Sequence, residues 1–135
     1  MLINEKQILF TELIARLLHF GVEQGYNMVF GEAMRGRQQA EWNALHCVRC
    51  GKSIDDEHSG HRFKPYGIKN SLHCVCLALD IKLLRRNSSG KFSYLSDTRD
   101  YQVLGEYWEK LHELCAWGGR FGDGGHFSIM HGGRK

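Results

Sequence analysis

The chain has 135 residues, 42% of them hydrophobic and 24% charged, which allows one sizeable core and excludes wholesale disorder. Its net charge of +3 falls short of the concentrated basic stripe of a nucleic-acid binder, so no nucleic acid is expected as a partner. Five cysteines, an odd number, argue against a disulfide framework, while eight histidines leave imidazole to spare for metal.

The opening stretch MLINEKQILF lacks the basic segment and small-residue cleavage site of a signal peptide, and no apolar run approaches the roughly 20 residues of a membrane helix. The expectation is a protein made in the cytoplasm without membrane insertion. From Glu5 to Gln24, Phe10, Leu13, Ile14, Leu17 and Leu18 repeat at the spacing of one buried helix face. Asn4 with Gln7 resembles a capping box, Gly21 weakens the last turn and Gly25 is the stop signal. Tyr26–Phe30 reads as a short strand, and Arg37–Leu45 as a second helix.

Cys47 to Tyr66 is polar and rich in charge, glycine and histidine, a loop insertion over about 46–66. Loops of that length in compact domains are functional or carry a brace of their own. Val75–Leu84 is a strand candidate, Asn87–Gly90 a turn, and Phe92 with Tyr94 the return strand of a hairpin. Thr98–Cys115 reads as a helix with Leu104, Tyr107, Trp108, Leu111 and Leu114 on its buried stripe. The glycine-rich WGGRFGDGG then leads into a last strand, HFSIM. The resulting expectation is α+β: one monomeric domain over 1–135, with helices packed on a small antiparallel sheet.

His73 and Asp80 stand seven residues apart in SLHCVCLALD. On one continuous strand an odd separation puts two side chains on opposite faces, so they converge only if His73 lies on the loop feeding the strand. Alone, the pair is better read as a capped core histidine and a strand-end aspartate. Asp123-Gly-Gly-His126 adds a second imidazole with a carboxylate three residues before it. Two imidazoles and one carboxylate form a three-ligand set that leaves a catalytic zinc one open position for water. A carboxylate such as Asp123 can then act as general base toward that water, which suits metal-assisted amide hydrolysis.

In these segments the chain resembles the zinc peptidases that include D-alanyl-D-alanine carboxypeptidases, D-Ala-D-Ala dipeptidases and phage L-alanyl-D-glutamate endopeptidases. The family's first motif, Ser-x-His-x-x-Gly-x-Ala-x-Asp, is matched at Ser71, His73, Ala78 and Asp80, and its second at Asp123 and His126. LFTELIARL, GIKNSLH, LGEYWEKL and WGGRFGDGGHFS are similar to phage members, so the likeness runs over most of the chain. The resemblance implies the fold shared by these peptidases and hedgehog-type signalling domains. It assigns His73, Asp80 and His126 to zinc, Asp123 to the base, and Arg35 in GEAMRGRQQA to a substrate carboxylate. The resemblance also makes Gln39 the expected polar neighbour of that arginine, and Ser71 is expected to contact the peptide backbone.

The implied substrate is the bacterial peptidoglycan stem peptide, cut between L-Ala and D-Glu during phage lysis once the host membrane has been breached. The alternatives are a D-Ala-D-Ala carboxypeptidase and a non-catalytic zinc domain that binds cell-wall peptide; a binder has no use for a base at Asp123. The chain departs from the family at Met34, where an aromatic is common, at Gly36-Arg37, which replaces a Thr-Pro turn, and at Cys76, which occupies a glycine position.

A second pattern, Cys47-x2-Cys50-x7-His58-x2-His61, has the residues of a tetrahedral structural zinc site; the alternative is a pair of reduced loop cysteines. Trp117 is expected under the glycine loop or along the cleft, and Trp108 in the core.

Overall fold

A computed structural model describes residues 1–68 and 71–135; positions 69 and 70, within GIKNSLH, lie outside the described residues. Among the described residues, three α-helices and a five-stranded sheet follow in the order α1 (Ile3–Glu23), β1 (Asn27–Phe30), α2 (Arg37–Leu45), β2 (Ala78–Arg86), β3 (Phe92–Leu95), α3 (Gln102–Leu111), β4 (Cys115–Trp117) and β5 (His126–Ile129). Every strand pairing is antiparallel. The expected α+β class with a small antiparallel sheet is what the chain forms.

β2 organises the sheet. Leu83 and Leu84 pair with both β1 and β3, so those strands occupy opposite edges of β2. The first residues of β2 pair instead with β5, with Asp80 directly across from His126, and β4 completes the sheet beyond β5. A nine-residue central strand thus serves three partners along its length.

The apolar stripes of α1 and α3 close over one side of this sheet. Phe10, Leu13 and Leu17 are buried with Leu104, Trp108, Leu83, Phe127 and Ile129, and Ile14, Leu18, Tyr107 and Leu111 pack at the margin. Full burial of side chains of this size contributes about 1.5–3 kcal/mol each. Trp108 lies edge-on to Phe10 and Phe127, and its indole N–H reaches the carbonyls of Ala116 and Ser128 at 3.1 and 3.0 Å. Its polar atom is therefore satisfied inside the core, as a buried tryptophan requires.

Several boundaries differ from expectation. At the start of α1 the Glu5 carboxylate accepts the Leu2 N–H at 2.6 Å, so the cap is Leu2/Glu5 rather than Asn4/Gln7. Gly21 is buried where a Cβ would meet the Met28 side chain, and Gly25 ends the helix at φ +82. β2 starts at Ala78 rather than Val75, because a 3-10 turn over Leu72–Val75 comes first. The helix expected to reach Cys115 stops at Leu111: His112 is extended and its Nδ1 accepts the Leu114 N–H. Cys115 instead opens β4, where all three residues are buried. No helix among the described residues is long and apolar enough to cross a membrane.

Candidate metal centre and cleft

Ser71 begins the approach to the site. Its hydroxyl accepts the N–H of His73 at 3.2 Å, capping the 3-10 turn that carries the histidine. Cys76 then takes a left-handed conformation, φ 54, the only positive φ at a non-glycine residue among those described. That reversal separates the turn from β2 and puts His73 off the strand, so the odd spacing to Asp80 no longer divides them between faces. The residue at the glycine-like position does not crowd the pair: Cys76 is exposed.

His73 Nε2 faces Asp80 Oδ1 at 3.3 Å, and His126 Nδ1 faces the same oxygen at 3.1 Å. The other ring nitrogen of His73 donates to the carbonyl of Ala33 at 3.4 Å, orienting Nε2 toward the aspartate. One ligand atom from each of His73, Asp80 and His126 lies within 4.8 Å of the other two, a group able to hold a metal ion. Burial pushes the Asp80 carboxyl up, but its hydrogen bonds with His126 and His73 outweigh this and bring it down to about 2. Burial lowers His73, and hydrogen bonding and charge from Asp80 reverse the balance, leaving it raised.

Asp123 precedes His126 on a tight connection. Its carbonyl accepts the His126 N–H at 3.2 Å, and its own N–H reaches Gly118 O at 2.8 Å. Gly118 is indispensable to that approach, since a Cβ there would stand 2.3 Å from Asp123 O and 2.7 Å from His126 Cβ. Desolvation in the cleft raises the Asp123 carboxyl; the charge of His126 opposes this and Asp80 adds to it. Trp117 packs under the glycine loop, with its indole N–H on the carbonyl of Gly124 at 2.7 Å.

A cleft of about 240 Å³ opens over these groups and is lined by Arg35, Ser71, His73, Asp80, Asp123 and His126, with Tyr66 and Gly67 on its wall. Asp80 and Asp123 also line an adjoining cavity of about 440 Å³ that runs past Lys82, Tyr94 and Tyr101. The two spaces meet at these carboxylates. Arg35 is in the cleft, but its guanidinium is already engaged: Nε reaches Glu32 Oε1 at 2.7 Å and Nη2 contacts Glu32 Oε2. Gln39 is not in the cleft; it is exposed on α2 and donates to Asn43 Oδ1 at 2.6 Å.

Sequence reasoning missed Glu32. Besides holding Arg35, its carbonyl accepts the Asp80 N–H at 2.8 Å, and Gly31 N–H bonds Asp80 O at 2.7 Å. The only available signal was an acidic residue three positions before the arginine.

The 46–66 insertion holds a second cluster. Cys47, Cys50, His58 and His61 each offer a ligand atom within 4.8 Å of the others, again a group able to bind metal. Burial raises the Cys47 thiol, but hydrogen bonds from the backbone of Lys64, Arg49 and Cys50 and from His61 bring it down to about 6. No protein-family profile matches the chain, and no curated protein matches it.

Proposed function

We propose that the protein is a zinc-dependent peptidase of the peptidoglycan stem peptide, with the ion held by His73, Asp80 and His126. The observation that carries the reading is the convergence of two imidazoles and one carboxylate in a cleft that also contains Asp123 and Arg35. The donor set fits zinc: bond lengths of about 2.0–2.2 Å at a tetrahedral angle separate nitrogen and oxygen ligands by roughly 3.4 Å. The two His–Asp separations are 3.3 and 3.1 Å. Three protein ligands leave an ion open to substrate, as hydrolytic zinc sites require.

Zinc bound there supplies Lewis acidity toward a scissile carbonyl. The remaining work belongs to the chain. Asp123, its proton affinity raised by desolvation at the cleft, takes a proton from the attacking water and returns it to the leaving amine. Arg35 stands on the cleft wall as the group to meet a substrate carboxylate, its guanidinium held in place by the Glu32 carboxylate, which that substrate would have to join or displace. Ser71 acts through His73 by capping its turn.

An endopeptidase must accommodate peptide on both sides of the cut bond. The adjoining cavities that meet at Asp80 and Asp123 suit such a substrate, which favours cleavage between L-Ala and D-Glu over removal of a terminal D-Ala. The test is mass spectrometry of purified peptidoglycan after digestion by zinc-loaded protein, metal-free protein and Asp123→Asn. New D-Glu amino termini, formed only by the zinc-loaded wild type, are expected. Release of D-Ala would make it a carboxypeptidase, binding without cleavage a non-catalytic domain, and equal digestion without metal would overturn the reading.

A further inference from the structure

The insertion over 46–66 has almost no apolar core of its own, yet it follows a defined path. Cys47 bridges Pro65, and the N–H of Val48 bonds Lys64 O at 2.7 Å, so the two ends of the loop run side by side. Between them the chain makes a knuckle: the N–H of Gly51 returns to Cys47 O at 2.7 Å, with Gly51 at φ +74. A positive φ of that kind suits glycine directly after a Cys-x2-Cys turn.

Inside the knuckle, thiols and imidazoles face each other in pairs. Cys47 Sγ is 3.6 Å from His61 Nε2, and Cys50 Sγ is 3.4 Å from His58 Nδ1. Zinc–sulfur bonds of about 2.3 Å and zinc–nitrogen bonds of about 2.0–2.1 Å at a tetrahedral angle separate the two donors by roughly 3.5 Å. Both observed pairs sit at that spacing. The back of His58 is also arranged for ligation, because its Nε2 bonds the carbonyl of Ser53 at 2.9 Å. That bond fixes the tautomer in which Nδ1 keeps its lone pair toward Cys50, the outer support ligating histidines normally have.

We infer that Cys47, Cys50, His58 and His61 form a closed, structural site for a tetrahedral thiophilic divalent ion, zinc by its chemistry, which staples the insertion against the cleft wall. Four protein donors leave no position for water, in contrast to the three at His73, Asp80 and His126. The staple reaches the cleft in a few bonds. Directly after the Cys47–Pro65 bridge, the N–H of Tyr66 bonds Asn43 O at 2.9 Å and His46 O at 3.2 Å. Tyr66 also leans on Trp42, which stacks on His46. Gly67 follows on the cleft wall, so close to Arg35 that a Cβ would lie 2.9 Å from its Nη1. Binding energy at a structural zinc is folding energy, so the ion orders the segment that ends beside Arg35.

This inference is carried by geometry outside the peptidase site and none of its readouts is hydrolysis, although the total of two ions counted below rests on His73, Asp80 and His126 also holding one. Reduced, metal-free full-length protein is titrated with Co2+ while thiolate-to-cobalt charge-transfer absorption is recorded, and bound zinc is counted by elemental analysis. Wild type should bind two equivalents. Cys50→Ser, a change at an exposed position that the core does not feel, should bind one and lose the charge-transfer band. The double variant His73→Ala/His126→Ala should bind one and keep the band. In that double variant, removing metal should speed amide exchange across 46–66 by about tenfold or more while the α1 and α3 amides keep their protection. Absence of the band in wild type, equal metal content in Cys50→Ser, or unchanged exchange across 46–66 would each overturn the assignment.

Discussion

Glu32 grips Arg35 through both of its carboxylate oxygens, three residues away on a segment that is neither helix nor strand. The arginine side chain is only 11% exposed, so the pair is screened less than an ordinary surface bridge. A double-mutant cycle with Arg35→Ala and Glu32→Ala, followed by urea unfolding, should return a coupling of about 1 kcal/mol. Each single variant should be less stable than wild type. A coupling indistinguishable from zero would mean that Glu32 does not fix the guanidinium.

Cys76 carries a side chain in the left-handed region, where an L-residue costs about 1–2 kcal/mol. Cys76→Gly removes that strain and gives back part of the gain through a freer unfolded chain, for a net stabilisation of about 0.5–1 kcal/mol. Cys76→Val should move the other way, since a β-branched residue tolerates positive φ least. Thermal unfolding of the two variants checks the sign, and a lower Tm for Cys76→Gly would refute the prediction.

Gly118→Ala tests how closely the Asp123–His126 connection must fold. The added methyl would press on Asp123 O and His126 Cβ, neither of them the far end of a flexible side chain. Affinity for zinc at the His73, Asp80 and His126 site should fall about tenfold or more while the thiolate-rich cluster is unaffected. Competition with a chromophoric chelator measures both, and unchanged affinity at the histidine site would count against this constraint.

Cys115 offers a prediction about pH. Burial pushes its thiol up to about 12 from the ordinary 9.0, against a smaller lowering by the His112 backbone. The folded state therefore holds this proton more tightly than the unfolded chain does. Its contribution is complete below about pH 9 and is lost as pH rises from there toward 12. Between pH 8 and 10 the Tm of wild type should fall more steeply than that of Cys115→Ala, and parallel declines would exclude the effect. At pH 8 the native Cys115 thiol should also resist alkylation, being neutral and buried.

Much of this arrangement was legible in the residues. The odd spacing of His73 and Asp80 required a break before the strand, and the break is there, made by the Ser71 cap and the Cys76 reversal. Helix stripes led to the core because burial alone decides them, as Leu17, Leu104 and Trp108 show. The end of α3 was not legible. Leu114 and Cys115 continue the apolar spacing, while termination depends on a local bond between His112 and Leu114 that periodicity does not register. β4 is three residues buried throughout, so it has no alternation to read. Glu32 was missed because an ion pair within an irregular segment has no period to read, and the bond of Gln39 to Asn43 on its own helix is equally silent in the sequence.

Asp80 and His126 face each other across β2 and β5. Any ion they share is therefore also a rivet through the sheet, fastening the long central strand to β5 at the last rung of their pairing. Parting those strands requires the ion to leave, so the melting temperature should climb with free metal, by about 2.7 kcal/mol of added stability at a hundred times the dissociation constant. Heat resistance in this molecule becomes a gauge of how much metal its surroundings hold.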